Sequence, residues 1–160
     1  MPTFSNGLLM ELLTLYKIYF VCAVSQMLIG QICELKGRIN DMQLTEQERT
    51  TIRDLQTQEK SCMTKYSKYS EEAKDPVLKS LFKDLADRER KHHDSLEQVL
   101  QGTVPACDCN DSTGREYSPK ATYDSLNKTP DMQADCFLAT DCIASEKLTS
   151  SEYNSNVFVF

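Results

Sequence analysis

Four side chains have the types and spacing of a metal site: Glu59, Glu89, His92 and Glu146. Glu59 lies in "RDLQTQEKSCMTKYS", where Ile52, Leu55, Cys62, Met63 and Tyr66 recur at steps of three and four residues. That spacing predicts a helix, and Glu59 falls on its apolar stripe. A charge on a face meant for burial is costly unless it is paired, hydrogen-bonded or bound to a metal. A second stripe runs through Leu78, Leu81, Phe82 and Leu85, meets Glu89 and His92, and resumes at Leu96, Val99 and Leu100. A third runs through Leu138, Cys142, Glu146, Thr149 and Tyr153. Each helix therefore carries an ionisable group where its apolar face should meet the others.

Helix bundles that hold two metal ions take one Glu from each of two helices and a Glu-x-x-His pair from each of the other two. Here Glu59 and Glu146 would be the single carboxylates, and Glu89 with His92, in "ERKH", the pair. Residues three apart lie one turn apart on one helix face. Carboxylate and imidazole suit iron or manganese. Tyr66 and Tyr153 stand two turns beyond Glu59 and Glu146 on the same stripes, placed to hydrogen-bond a ligand carboxylate. The plainer alternatives are carboxylates at the edge of each stripe and ordinary core tyrosines.

The elements that must position these groups start from local signals. "LTEQE" places Thr45 as an N-cap with Glu48 three residues on, opening a helix over about 46–73. Asp75 and Pro76 suit the start of a second helix over about 76–101, and Gly102 suits its end. Residues 102–129 are polar and turn-rich, a linker long enough to cross from one end of a bundle to the other. Thr129 and Pro130 open a third helix over about 130–157. "DLQTQEKSCMTKY" (Asp54–Tyr66) and "DCIASEKLTSSEY" (Asp141–Tyr153) share Asp, Glu-Lys and Tyr at the same offsets. The third helix thus reads as a second copy of the first. A copy of the second helix would follow, but the sequence stops at Phe160. The predicted fold class is all-α: an antiparallel bundle with a long crossover loop, its fourth helix missing.

Residues 1–43 differ in kind. The run from Gly7 to Cys33 is apolar, broken mainly by Glu11, Lys17 and two Gln. It reads either as a helix packed on the protein's own core or as a membrane-associated one, with contact through residues 8–33. The segment Leu8–Cys33, or a second chain, is expected to cover the groove left by the missing helix.

The net charge of −6 argues against a nucleic-acid partner. No Ser-His-Asp set, phosphate loop or nucleotide fingerprint is present. Seven cysteines leave at least one outside any pairing within the chain. Cys62 and Cys142 read as buried thiols. Cys107 and Cys109 form a CxC that could take a soft metal or crosslink chains, and a lone CxC is more often inert.

Residues 61–105 and the segment "DCFLATDCIASEKLTSSEYNSNVF" resemble the coat F family of spore coat proteins. Members of that family are similar to ferritin-like bundles. The resemblance implies a ferritin-like fold, a structural role in the spore coat, and other coat proteins or further copies of the chain as partners. It places Glu59, Glu89, His92 and Glu146 as the inward polar positions and leaves enzymatic activity unproven. The rival readings are a di-iron or di-manganese oxidoreductase of the rubrerythrin or manganese-catalase kind, acting on peroxide or oxygen, and a small membrane-associated protein.

Overall fold

The computed structural model describes residues 44–103, 105, 119–123 and 128–156. The apolar segment 1–43, the CxC at Cys107 and Cys109, and most of the linker lie outside the described residues. Among the described residues the chain is all-helical: α1 is Glu46–Glu72, α2 is Pro76–Leu100 and α3 is Pro130–Asn156. The arrangement is a ferritin-like helix bundle.

α1 opens with a closed capping box. The Thr45 hydroxyl accepts from the Glu48 N–H at 3.2 Å, and Glu48 Oε2 accepts from the Thr45 N–H at 2.7 Å. α1 ends at a short turn through Ala73, Lys74 and Asp75. Asp75 caps α2, accepting from the N–H groups of Val77 at 2.8 Å and Leu78 at 3.2 Å, with Pro76 in the first turn. α2 ends at Gly102, whose φ of 76° is left-handed backbone that favours glycine. The Thr103 N–H then closes onto the Gln98 carbonyl at 2.8 Å.

Two buried carboxylates fasten α3 and the returning linker to the α1–α2 turn. Asp135, in the second turn of α3, accepts from the backbone N–H groups of Lys74 at 2.9 Å and Asp75 at 2.8 Å, and from the Tyr123 hydroxyl at 2.7 Å. Asp75 accepts in addition from the Thr122 hydroxyl at 2.7 Å. Burial pushes the Asp75 carboxyl up, but the bonds from Thr122, Val77 and Leu78 outweigh it and hold it below the usual range. Asp135→Ala would leave the buried N–H of Asp75 and the half-buried N–H of Lys74 without their acceptor, so a loss of about 3 kcal/mol is expected. Urea unfolding would read it, and a loss under about 1 kcal/mol would remove the clasp from this account.

The interior is layered. Cys62, Tyr66, Ala73, Leu78, Phe82, Ala86, Leu138, Ala139 and Cys142 form one apolar cluster. Ile52, Leu55, Leu96, Val99 and Tyr153 form a second. Along each helix the two clusters are separated by polar residues: Glu59 on α1, Glu89 and His92 on α2, Ser145, Glu146, Thr149 and Ser150 on α3, all buried. The clusters supply the burial energy, about 1.5–3 kcal/mol for each large side chain. The layer between them adds none, because ionisable groups gain nothing from leaving water.

Candidate metal centre

Glu59 reaches the layer from α1 because Ile52, Leu55, Cys62 and Tyr66 commit that face of the helix to the core. Phe82, Ala86, Leu96 and Val99 do the same for Glu89 and His92 on α2. The outcome is a cluster in which one carboxylate oxygen each from Glu59 and Glu89 and one ring nitrogen of His92 lie within 4.8 Å of one another. Nδ1 of His92 stands 3.3 Å from Glu89 Oε2 and 3.7 Å from Glu59 Oε2. His93, the neighbouring imidazole, turns aside to Asp94 at 3.3 Å. Of the two adjacent histidines, His92 is the one that points inward.

Glu59 is fully buried and Glu89 is 2 % exposed, so their charges are felt at short range with little water to screen them. Burial pushes the Glu89 carboxyl up, the adjacent Glu59 pushes it further, and it reaches about 9. Burial also acts on Glu59, but Glu89, His92 and the Tyr153 hydroxyl outweigh it and hold Glu59 low. At neutral pH Glu89 therefore carries the proton and Glu59 the charge. The Tyr153 hydroxyl, on α3, donates to Oε1 of Glu59. Oε2 of Glu59 is enclosed and faces Nδ1 of His92 at 3.7 Å.

Glu146 is buried at the same level on α3, but it is not in the group formed by Glu59, Glu89 and His92. Tyr66 lies near it: burial first, then the neighbouring Cys142 and Glu146, raise the Tyr66 hydroxyl far above its ordinary value. Tyr153 thus donates to the glutamate of the other copy of the repeat, Glu59, and Tyr66 lies near Glu146. At the crossing of α1 and α3, Cys62 Sγ is 3.7 Å from Thr149 Oγ1, two positions equivalent in the repeat. Cys62 is a buried thiol, pushed up to about 11 chiefly by burial. Cys142 is likewise buried.

Sequence reasoning missed the polar tie that fixes α3 on α1. Lys65 Nζ reaches Asp141 Oδ2 at 2.9 Å and Ser145 Oγ at 2.6 Å, and Tyr69 donates to Asp141 at 2.6 Å. Nothing in the sequence but the recurrence of Asp141 in the repeat could have pointed to it.

Two carboxylate oxygens and an imidazole nitrogen are a ligand set that suits iron or manganese. The rubrerythrin family model matches residues 43–133, more than half of the chain. The chain belongs to the rubrerythrin family. The match takes in α1, α2 and the first residues of α3, and with them Glu59, Glu89 and His92. No curated protein and no solved structure matches the chain.

Proposed function

We propose that this protein is a metal-binding member of the rubrerythrin family that takes iron or manganese at Glu59, Glu89 and His92 and acts on peroxide or oxygen. The observation that carries the reading is the convergence of three ligand atoms within 4.8 Å, in a polar layer enclosed by two apolar clusters. Glu146 is the fourth residue of the site, facing the same layer from α3. Bound iron or manganese supplies the one-electron chemistry that the side chains lack. Glu59 supplies the negative charge that draws a divalent cation inward, and Glu89 gives up its proton and becomes a second carboxylate as the cation enters. His92 supplies the nitrogen donor, and the surrounding apolar clusters keep bulk water out.

A structural role in the spore coat is the second reading. It is favoured by the resemblance of both repeat segments to coat F proteins, and it brings other coat proteins or further copies of the chain as partners. A membrane-associated protein is the third, and it rests on residues 8–33 alone. Among the described residues no helix is long and apolar enough to cross a membrane.

Metal analysis of protein purified without chelator, followed by a peroxide assay, tests the first reading. Iron or manganese at one or two per chain, with peroxide consumed only by the loaded protein, is the expected result. Metal-free protein that stays inert after anaerobic reloading would leave the coat role standing.

A further inference from the structure

We infer that the outward face of α3 is the docking site of the chain's own apolar segment, Leu8–Cys33. The inference concerns a different surface from the metal site and does not depend on it. α3 is apolar on two opposite sides. One side packs on α1 and α2 through Leu138, Ala139, Cys142 and Tyr153, all buried. The other carries Cys136, Phe137, Ile143, Ala144 and Leu148, which recur at steps of three and four residues, the spacing of a stripe that packs on a neighbour. Phe137 is 70 % exposed and Leu148 54 %, and they are the large apolar side chains left exposed among the described residues. About three helical turns separate them, so they stand about 16 Å apart on one line. Ala144 lies between them, small enough to admit a close neighbour. A helix that is apolar all round belongs inside a structure rather than on its surface.

Size, position and chemistry choose the occupant. A stable interface between separate chains buries about 800 Å² on each partner, more than two large side chains and their small neighbours offer. A tethered segment needs less, because its local concentration is about millimolar at any protein concentration. The chain enters α1 through Leu44, which packs on the cluster of Ile52, Leu96 and Tyr153, at the end of the bundle where α3 finishes. Residues 34–43 can span about 33 Å when extended, so the segment before them is delivered beside α3. Leu8–Cys33 is apolar, with Glu11 and Lys17 as its charged residues. Wound as a helix it would measure about 39 Å, close to the length of α3, which has 27 residues. Docking covers the α3 face and the apolar run together, and large apolar patches are rarely left open without a partner.

The test uses the full chain. Hydrogen exchange read by mass spectrometry compares the parent with a Phe137→Glu, Leu148→Glu variant. A Ser80→Glu, Gln98→Glu variant is the control, because it adds the same charge at exposed positions of α2. In the parent and the control, peptides from residues 8–33 are expected to exchange at least about tenfold slower than an open chain. In the α3 variant they should lose that protection while peptides from α1 and α2 keep theirs. Benzoyl-phenylalanine in place of Phe137 gives a second reading without an added charge. Irradiation should join position 137 to residues 8–33 of the same chain, as a mixture of light and heavy chains distinguishes. The crosslink decides alone if α1 and α2 lose protection in the α3 variant. The inference is overturned if residues 8–33 are unprotected in the parent, if they stay protected in the α3 variant, or if the control loses as much. Crosslinks between light and heavy chains, with a dimer by light scattering that the α3 variant breaks, would give the face to a second copy and overturn it. Protection that appears only with vesicles of phosphatidylcholine and phosphatidylglycerol would give the segment to a membrane and overturn it likewise.

Discussion

A chain carrying Glu89→Ala and His92→Ala is expected to emerge from purification without the iron or manganese proposed for the parent. The two changes remove two of the three grouped donors, and affinity should fall at least about a thousandfold, about 4 kcal/mol. The fold should survive. Glu89 and His92 sit in the layer that contributes no apolar burial, and replacing buried ionisable groups by apolar ones is often neutral or stabilising. The metal-free variant should therefore melt no more than a few degrees below the metal-free parent, the small cavity being offset by the lost desolvation. Plasma mass spectrometry and thermal melting in chelator read the two halves. A variant that kept its metal would dismiss Glu89 and His92 as ligands. A variant that failed to fold would mean that the layer holds the bundle together.

The second large effect is on pH. Glu89 is pushed up to about 9, so a metal ion entering at neutral pH must displace its proton. Apparent affinity should rise about tenfold per pH unit while that proton is present, so about a hundredfold from pH 6 to pH 8, and level off above about 9. The stability of the metal-free chain should run the other way. Glu89 has a folded value raised above its ordinary one, so its contribution is fully present below about 4.5, declines as pH rises, and is gone above about 9. Glu59 is held low, so its contribution is lost only as pH falls below the ordinary carboxylate range. Between pH 5 and 9 the metal-free protein should therefore weaken with rising pH while the loaded protein does not. Manganese(II) titrations and melts at three pH values would check both slopes. An affinity independent of pH would mean that Glu89 is already ionised.

Much of this arrangement was legible in the sequence, for local reasons. A capping box needs only Thr45 and Glu48, and both bonds formed. Asp75 followed by Pro76 is a helix start whatever surrounds it. Glu59, Glu89 and His92 betrayed themselves by interrupting apolar stripes, which requires only helical periodicity. The features that were not legible depend on how helices sit against one another. Glu146 interrupts its stripe in the same way, yet it falls outside the group that Glu59, Glu89 and His92 form, and no spacing within α3 could say so. The direction of the tyrosines was hidden for the same reason, since Tyr153 meets Glu59 on another helix rather than the glutamate on its own. Asp135 looked like an ordinary acid near a helix start. It became a buried clasp only because the α1–α2 turn comes to rest against it.

The enclosed polar layer has a bearing on the protein's life in a cell. Under the proposed function, a chain that folds before taking up an ion must bury two carboxylates and an imidazole at its centre, and it does so at a loss. An ion present at a hundred times its dissociation constant would return about 2.7 kcal/mol, a large fraction of the stability of a domain this size. Unloaded chains would open more often and be cleared sooner by proteases. The steady-state amount of this protein should then rise and fall with the supply of iron or manganese, with no change in its synthesis.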